Sequence, residues 1–354
     1  MPKGKVAVAL SGGVDSSAAA LLLKEAGYEV IGVHMRLQDS PGFDQQAQRA
    51  ENICRILAIP YHQLDVQREF ESCVVDYFCR EYQKGRTPNP CVACNQFMKF
   101  GILLDKALSL GAEYLATGHY ARVEHSRDGH RLLKAADAGR DQSYFLYTLT
   151  QEKLGRVLFP LGEHSRDEVK QMARQTGLPT GTKSSQDICF ISQKNYGAFL
   201  SQRFSALPGD IVDIEGKRLG QHPGIPFYTI GQRHGLGLSS GKPLYVIRIE
   251  PALNRIVLGP EEELYSQKLT AKKVNWISGK TPQEPVTVRA KIRYKSKEAE
   301  AVLFFRDDCV DVHFAQPQKA VTPGQAIVFY NIDEVLGGGI IDSTETETRA
   351  PLLR

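Results

Sequence analysis

The chain has 354 residues, 42% of them hydrophobic and 24% charged, with a net charge of +4. That length is too long for one ordinary domain and suits two or three, and the composition excludes a disordered or fibrous protein. No run of eighteen apolar residues occurs, which excludes a spanning helix and a membrane partner; the mild positive charge permits a nucleic-acid partner without demanding one.

The opening stretch, MPKGKVAVALSGG, lacks an apolar h-region and a small-residue cleavage site, so it reads as a first strand rather than a signal peptide. A cytoplasmic setting with reduced thiols is the expectation. Buried strands are expected at 5–10, 29–35, 61–66 and 112–118, with helical patterns at 16–26, 44–58, 68–83 and 96–110 between them. Gly27 and Gly111 stand where helix stops belong. Two further helices are expected near 151–157 and 165–176, the second opened by Ser165 with Glu168 three residues on, a capping-box pattern. This alternation predicts an α/β, Rossmann-like parallel sheet covered by helices on both faces, over residues 1–204. Residues 205–266 are dense in Gly and Pro and read as a small, mostly β central domain; 267–354 carry several short strands and read as a C-terminal β-barrel with a polar tail.

The segment VAVALSGGVDSS (6–17) joins a buried strand to a helix through Ser11, Gly12 and Gly13. Glycines permit a tight turn and close ligand approach, and the helix start offers free amides at a positive dipole end, so the loop is an anion site. It is neither the Walker nor the Rossmann glycine pattern. Asp15 is placed to hold magnesium or to orient the loop.

Seven cysteines are present, an odd number that argues against a disulfide framework. Cys54, Cys73 and Cys79 lie in helical patterns and read as packing. Cys91 and Cys94 form C-x-x-C in TPNPCVACN, open to a metal, redox or catalytic reading; no second pair completes a zinc site, and no metal site is assigned. In PVTVRAKIRYKSK, Arg289, Lys291, Arg293, Lys295 and Lys297 recur at a spacing of two, which on one strand sets five cations on one face, solvating it or tracking a phosphate backbone.

SGGVDSS resembles the PP-loop of the ATP pyrophosphatase superfamily, an adenine nucleotide alpha hydrolase-like fold. Together with GVHM, GRTPNPC, ATGHYAR, DQSYFLY, SSQDICFI, YTIGQRHGLG and KIRYK, it is similar to the tRNA-specific 2-thiouridylases (MnmA/TrmU family). The resemblance implies ATP with Mg2+, a wobble uridine adenylated on its 2-oxygen, and sulfur delivered through a cysteine persulfide. It implies ATP binding by Ala9, Leu10, Ser11, Gly12, Gly13, Val14, Asp15, Ser16, Met35 and Gly118. Cys94 matches the nucleophile and Cys189 the persulfide carrier, two thiols that must come within about 6 Å between Cα atoms to pair. Reactivity calls for lowered thiol pKa values, with Lys99, Lys183 and helix N-termini as candidate causes. Cys91 stands where relatives carry an acid/base aspartate, which leaves that role open. The resemblance marks Asn89, Pro90, Cys91, His119, Arg140, Asp141, Gln142, Arg293, Tyr294 and Gln325 as tRNA contacts. It further implies lysine, glutamate and glutamine tRNAs as partners, a sulfur-carrier protein or cysteine desulfurase as donor, and a monomer.

Three alternatives stand beside this reading: an iron-sulfur cluster held by Cys91, Cys94 and Cys189, an amide-forming ligase of the same superfamily, and a catalytically idle RNA-binding protein.

Overall fold

The computed structural model describes residues 3–127, 129–178, 188–191, 196–238 and 241–345. Seven strands come from the first 158 residues: β1 Lys5–Ala9, β2 Glu29–Arg36, β3 Tyr61–Asp65, β4 Tyr114–Ala116, β5 Ala121–Ser126, β6 Gly129–Lys134 and β7 Val157–Leu158. Five of them build a parallel sheet in the order β3-β2-β1-β4-β7. Alternate residues of β1 face opposite ways, as strand geometry requires. Val6 and Val8 pack with helix Val14–Glu25, whereas Ala7 packs with Tyr144, Tyr147 and the barrel residues Val328 and Tyr330. The nucleotide-type sheet and the barrel thus share a continuous core.

Residues β8 Gly209–Asp213, β9 Arg218–His222, β10 Tyr245–Glu250 and β11 Arg255–Gly259 form a separate four-stranded sheet. The barrel strands are β12 Tyr265–Trp276, β13 Val286–Lys291, β14 Ala299–Arg306, β15 Cys309–Lys319, β16 Ala326–Asn331 and β17 Glu334–Thr344. Pairing of β12 with both β15 and β17 closes the six strands. Closure relies on glycine in β17: a Cβ at Gly337 would lie 2.3 Å from the Asn275 carbonyl. The hairpin β5–β6, which belongs by sequence to the first unit, extends this barrel sheet by pairing β6 with β17.

The row of five cations is corrected by the structure. β13 ends at Lys291, and residues 292–296 turn away, with Ser296 Oγ donating to the Arg293 carbonyl at 2.9 Å. Arg293, Lys295 and Lys297 therefore share no strand face with Arg289.

Two helices depart from α-geometry. The stretch Gln67–Gln83 contains a π-helical segment at Glu71–Val75. The other starts at Pro90, six residues earlier than its apolar pattern suggests, and continues with π-helical bonding over Cys94–Leu103, broken by a kink at Phe100 with φ -99° and ψ 16°. Asn89 Oδ1 caps it by accepting from the Val92 amide at 3.3 Å, with Pro90 in the first helical position. The capping box of Ser165 and Glu168 is formed.

Candidate active site

β1 delivers the chain to Ser11, and Gly12 turns it with a φ of 74°. A side chain there would collide with helix Pro41–Leu57, since a Cβ would sit 2.7 Å from the Gln46 carbonyl. Gly13 caps helix Val14–Glu25 without any side-chain hydrogen bond, so the first-turn amides face the loop concavity. Ser16 Oγ donates to the Gly13 carbonyl at 3.0 Å and accepts from the Ser11 amide at 3.2 Å, which fixes the loop from inside. This is a preformed anion cradle. Asp15 does not line it as a free carboxylate: Arg166 pairs with it and Tyr120 donates to it at 3.0 Å. Asp15 orients the loop. Among the described residues no group of three His, Cys, Asp or Glu side chains is set to hold a metal ion.

Gly118 and Met35 flank the loop from β4 and β2. A Cβ on Gly118 would stand 2.7 Å from the Asp15 carbonyl carbon and 2.8 Å from the Ser16 nitrogen. The glycine is there first to let β4's exit pack on the loop, a tighter demand than access for a nucleotide. Met35 is half-buried at the carboxyl end of β2, where open α/β sheets take ligands. Next to it, buried His34 holds the Leu10 carbonyl through Nδ1 at 2.8 Å, and its Nε2 has no partner among the described residues.

The next residue after Gly118 leads to the thiols. His119 is buried, with Nδ1 2.7 Å from Thr117 Oγ1 and Nε2 3.3 Å from Lys99 Nζ. Lys99 lies on the π-helix that begins at Cys94. Cys91, Cys94 and Cys189 are free thiols that share one neighbourhood, since Cys94 and Cys91 both act by charge on Cys189 and Lys99 acts on all three. The structure corrects the expected thiol activation. Burial pushes all three thiols up and outweighs the opposing pull of Lys99. Burial is the leading cause for each, and it pushes Cys91 up to about 11 and Cys189 up to about 12 although both keep part of their surface in solvent. Lys183 lies outside the described residues, as do Ser184–Asp187 of the second cysteine's motif.

Burial, then the neighbouring ammonium, holds His119 well below its ordinary 6.5, and burial lowers His34 as well. In the fold both are biased toward the neutral form, His119 the more strongly. As pH falls below about 6.5 the unfolded chain binds protons that the folded sites refuse, so stability declines by up to ~1.4 kcal/mol per pH unit for each histidine. Urea denaturation from about pH 7 to about pH 5 checks this, with His119→Gln expected to flatten the decline; an unchanged slope would refute the buried neutral state.

Several residues marked as RNA contacts are spent on structural hydrogen bonds. Asp141 is buried and accepts from the Ala135 and Ser143 amides, both at 3.1 Å. Gln142 Oε1 accepts from the Tyr120 amide at 3.0 Å. Gln325 Nε2 donates to the carbonyls of Thr87 at 2.9 Å and Pro88 at 3.3 Å, clasping the segment that carries Asn89, Pro90 and Cys91. Arg86 strengthens that clasp by donating to the Ile341 carbonyl at 2.9 Å. Tyr294 packs at a tilt of 41° against Phe145 with centroids 4.4 Å apart, under Lys291 and within charge range of Arg140. Arg293 donates to the Lys319 carbonyl at 3.2 Å. The partners Thr117, Tyr120 and Arg166, and the Arg86 clasp, escape sequence reasoning because the groups they meet lie far away or carry no spacing signal.

Family profiles match the chain in three pieces: a tRNA methyl transferase HUP domain over residues 4–193, a tRNA methyl transferase PRC-barrel domain over 197–260 and an aminomethyltransferase beta-barrel domain over 266–341. Similar curated proteins include tRNA-specific 2-thiouridylase MnmA 1 of Syntrophus aciditrophicus, 47% identical over 353 residues, covering 96% of this chain and 93% of that one. MnmA 1 of Caldanaerobacter subterraneus subsp. tengcongensis is 48% identical over 96% of this chain and 98% of its own length. MnmA of Acetivibrio thermocellus is 47% identical over 96% and 100%. With likeness of this size along nearly the whole length of both partners, the chain belongs to the MnmA family of tRNA-specific 2-thiouridylases.

Proposed function

We propose that this protein replaces the 2-oxygen of the wobble uridine of tRNA with sulfur at the expense of ATP. The observation that carries the reading is the gathering of three thiols, drawn from positions 91, 94 and 189, linked to the anion loop through Lys99, His119 and Gly118. The profile descriptions speak of methyl transfer and the relatives' names of thiolation; paired thiols beside an anion loop fit the second.

In this reading the first-turn amides of helix Val14–Glu25 hold the ATP phosphates, and Met35 covers the adenine. The uridine 2-oxygen attacks the α-phosphorus, the bond to the β-phosphate oxygen breaks and pyrophosphate leaves. The terminal sulfur of a persulfide on Cys189 then attacks carbon 2, and the former 2-oxygen departs as part of AMP. Cys94 attacks the Cys189 sulfur, which breaks the S–S bond, frees the 2-thiouridine and leaves a Cys94–Cys189 disulfide. A thiol reductant resets the pair, and a sulfur-carrier protein or cysteine desulfurase reloads Cys189. Cys91, a protonated thiol on the exposed side, supplies the proton-donor position. The RNA side is lined by Arg140, Arg293 and Tyr294, with the base admitted after leaving its stack.

Magnesium would accompany the ATP phosphates, whereas Asp15 is already taken by Arg166 and Tyr120. The three thiols share a neighbourhood, but among the described residues no three His, Cys, Asp or Glu side chains are set to hold a metal, which does not favour a cluster. No helix among those residues is long and apolar enough to cross a membrane. Lysine, glutamate and glutamine acceptors, a monomeric state and a cytoplasmic location complete the proposal.

An oxygen label tests it. With ¹⁸O at position 2 of the wobble uridine, AMP formed during thiolation is expected to carry the label. Thiolated tRNA accompanied by unlabelled AMP would sink the adenylated intermediate.

A further inference from the structure

The winding of the helix that carries Cys94 has a chemical consequence. In an α-helix the residue five positions on sits about 140° round the cylinder. Between Cys94 and the kink at Phe100, whose φ of -99° and ψ of 16° are non-helical, the helix is π-wound, and i→i+5 bonding returns that fifth residue, Lys99, to a place one turn above Cys94. Lys99 is fixed from its other side as well. Its Nζ meets His119 Nε2 at 3.3 Å, His119 Nδ1 meets Thr117 Oγ1 at 2.7 Å, and the imidazole sits about equally far from the Phe100 and Phe159 rings, at 5.9 and 6.0 Å. A neutral imidazole with its proton on Nδ1 offers Lys99 an acceptor and no rival charge. Lys99 is also the side chain whose charge favours the anion on each of Cys91, Cys94 and Cys189.

We propose that Lys99 is a positioning residue of sulfur transfer: anchored by the His119–Thr117 pair and set over Cys94 by the π-turn, its ammonium holds the sulfur anion that the reaction needs. This rests on the thiolation reading above. The step is ionisation alone. The S–H bond breaks, both electrons stay on sulfur, the proton passes to water, and Lys99 keeps its own proton. It also gives His119 a duty other than RNA contact, in keeping with its burial.

The test reads the thiols directly. The full-length protein, without ATP or tRNA, is alkylated with iodoacetamide at about pH 8 and each cysteine is quantified by mass spectrometry, with Cys309 in the barrel as internal reference. Lys99→Met is expected to slow Cys94 relative to Cys309 roughly tenfold, the size of one pKa unit. His119→Leu is expected to give a smaller loss, and Lys99→Arg to restore most of the rate. An unchanged Cys94-to-Cys309 ratio in Lys99→Met overturns the proposal, as does an equal loss in the Met and Arg variants. Labelling of buried Cys54 reports unfolding, in which case Lys99→Gln replaces the Met variant. No tRNA is thiolated in this assay, so its outcome is separate from the fate of the functional reading.

Discussion

Serine in place of Cys94 or Cys189 is expected to lower 2-thiouridine formation by roughly a thousandfold or more, while AMP and pyrophosphate still form on unmodified tRNA. A serine hydroxyl neither carries a persulfide nor cleaves one, so the whole nucleophilic contribution is lost. Adenylation survives because it depends on the loop after β1, where neither cysteine lies. Folding is not at issue: Cys189 is exposed, Cys94 is half-buried, and neither is bonded to another cysteine. The double variant is expected to be no worse than either single one, since the two act as a unit. Nucleoside mass spectrometry and pyrophosphate release measure the two halves. Sulfur incorporation at the parent rate in either variant would remove that cysteine from the mechanism.

The parallel sheet was legible at β1, β2 and β4, which are short buried runs, whereas the edge strand β3 is half-exposed and the two-residue β7 stands where the helix expected near 151–157 was to end. The anion loop was legible because its parts are contiguous. The helix at Pro90 carried a readable start in Asn89 and Pro90, yet its apolar pattern pointed to residue 96, and the cap proved the better guide. Its π-winding left no periodic signal. The hairpin β5–β6 was missed because its partner strand, β17, lies some two hundred residues on. The cation row misled because alternation was read through Lys291, where the strand stops. Within the site, Cys94 and Cys189 were identified by likeness, but their environment was not. Thiol activation was expected from nearby positive charge, and burial proved stronger. The partners of Asp15, Tyr120 and Arg166, lie 105 and 151 positions away, and no local pattern announces them.

Gly118→Ala is expected to cut 2-thiouridine formation at least about a hundredfold, although the added group is one methyl. The obstacle is backbone and not a side chain that can swing aside: the new Cβ would lie 2.7 Å from the Asp15 carbonyl carbon, 2.8 Å from the Ser16 nitrogen and 2.9 Å from the Asp15 oxygen. Either β4's exit or the first turn of helix Val14–Glu25 must retreat. Retreat of the turn moves the amides that would hold phosphate, and misplacement of about 1 Å in such groups costs on the order of a hundredfold. Retreat of β4's exit instead carries His119 away from Lys99, which disturbs the thiols. The overpacking itself costs about 1–3 kcal/mol of stability, which calorimetry would register as a lowered Tm. Pyrophosphate release with saturating tRNA, measured against ATP concentration, distinguishes the two retreats: a moved turn raises KM for ATP and lowers kcat, whereas a moved β4 exit leaves AMP formation intact and stops sulfur transfer. A variant with parent activity in both steps and an unchanged Tm would show that the contact between Gly118 and the loop is not needed in solution.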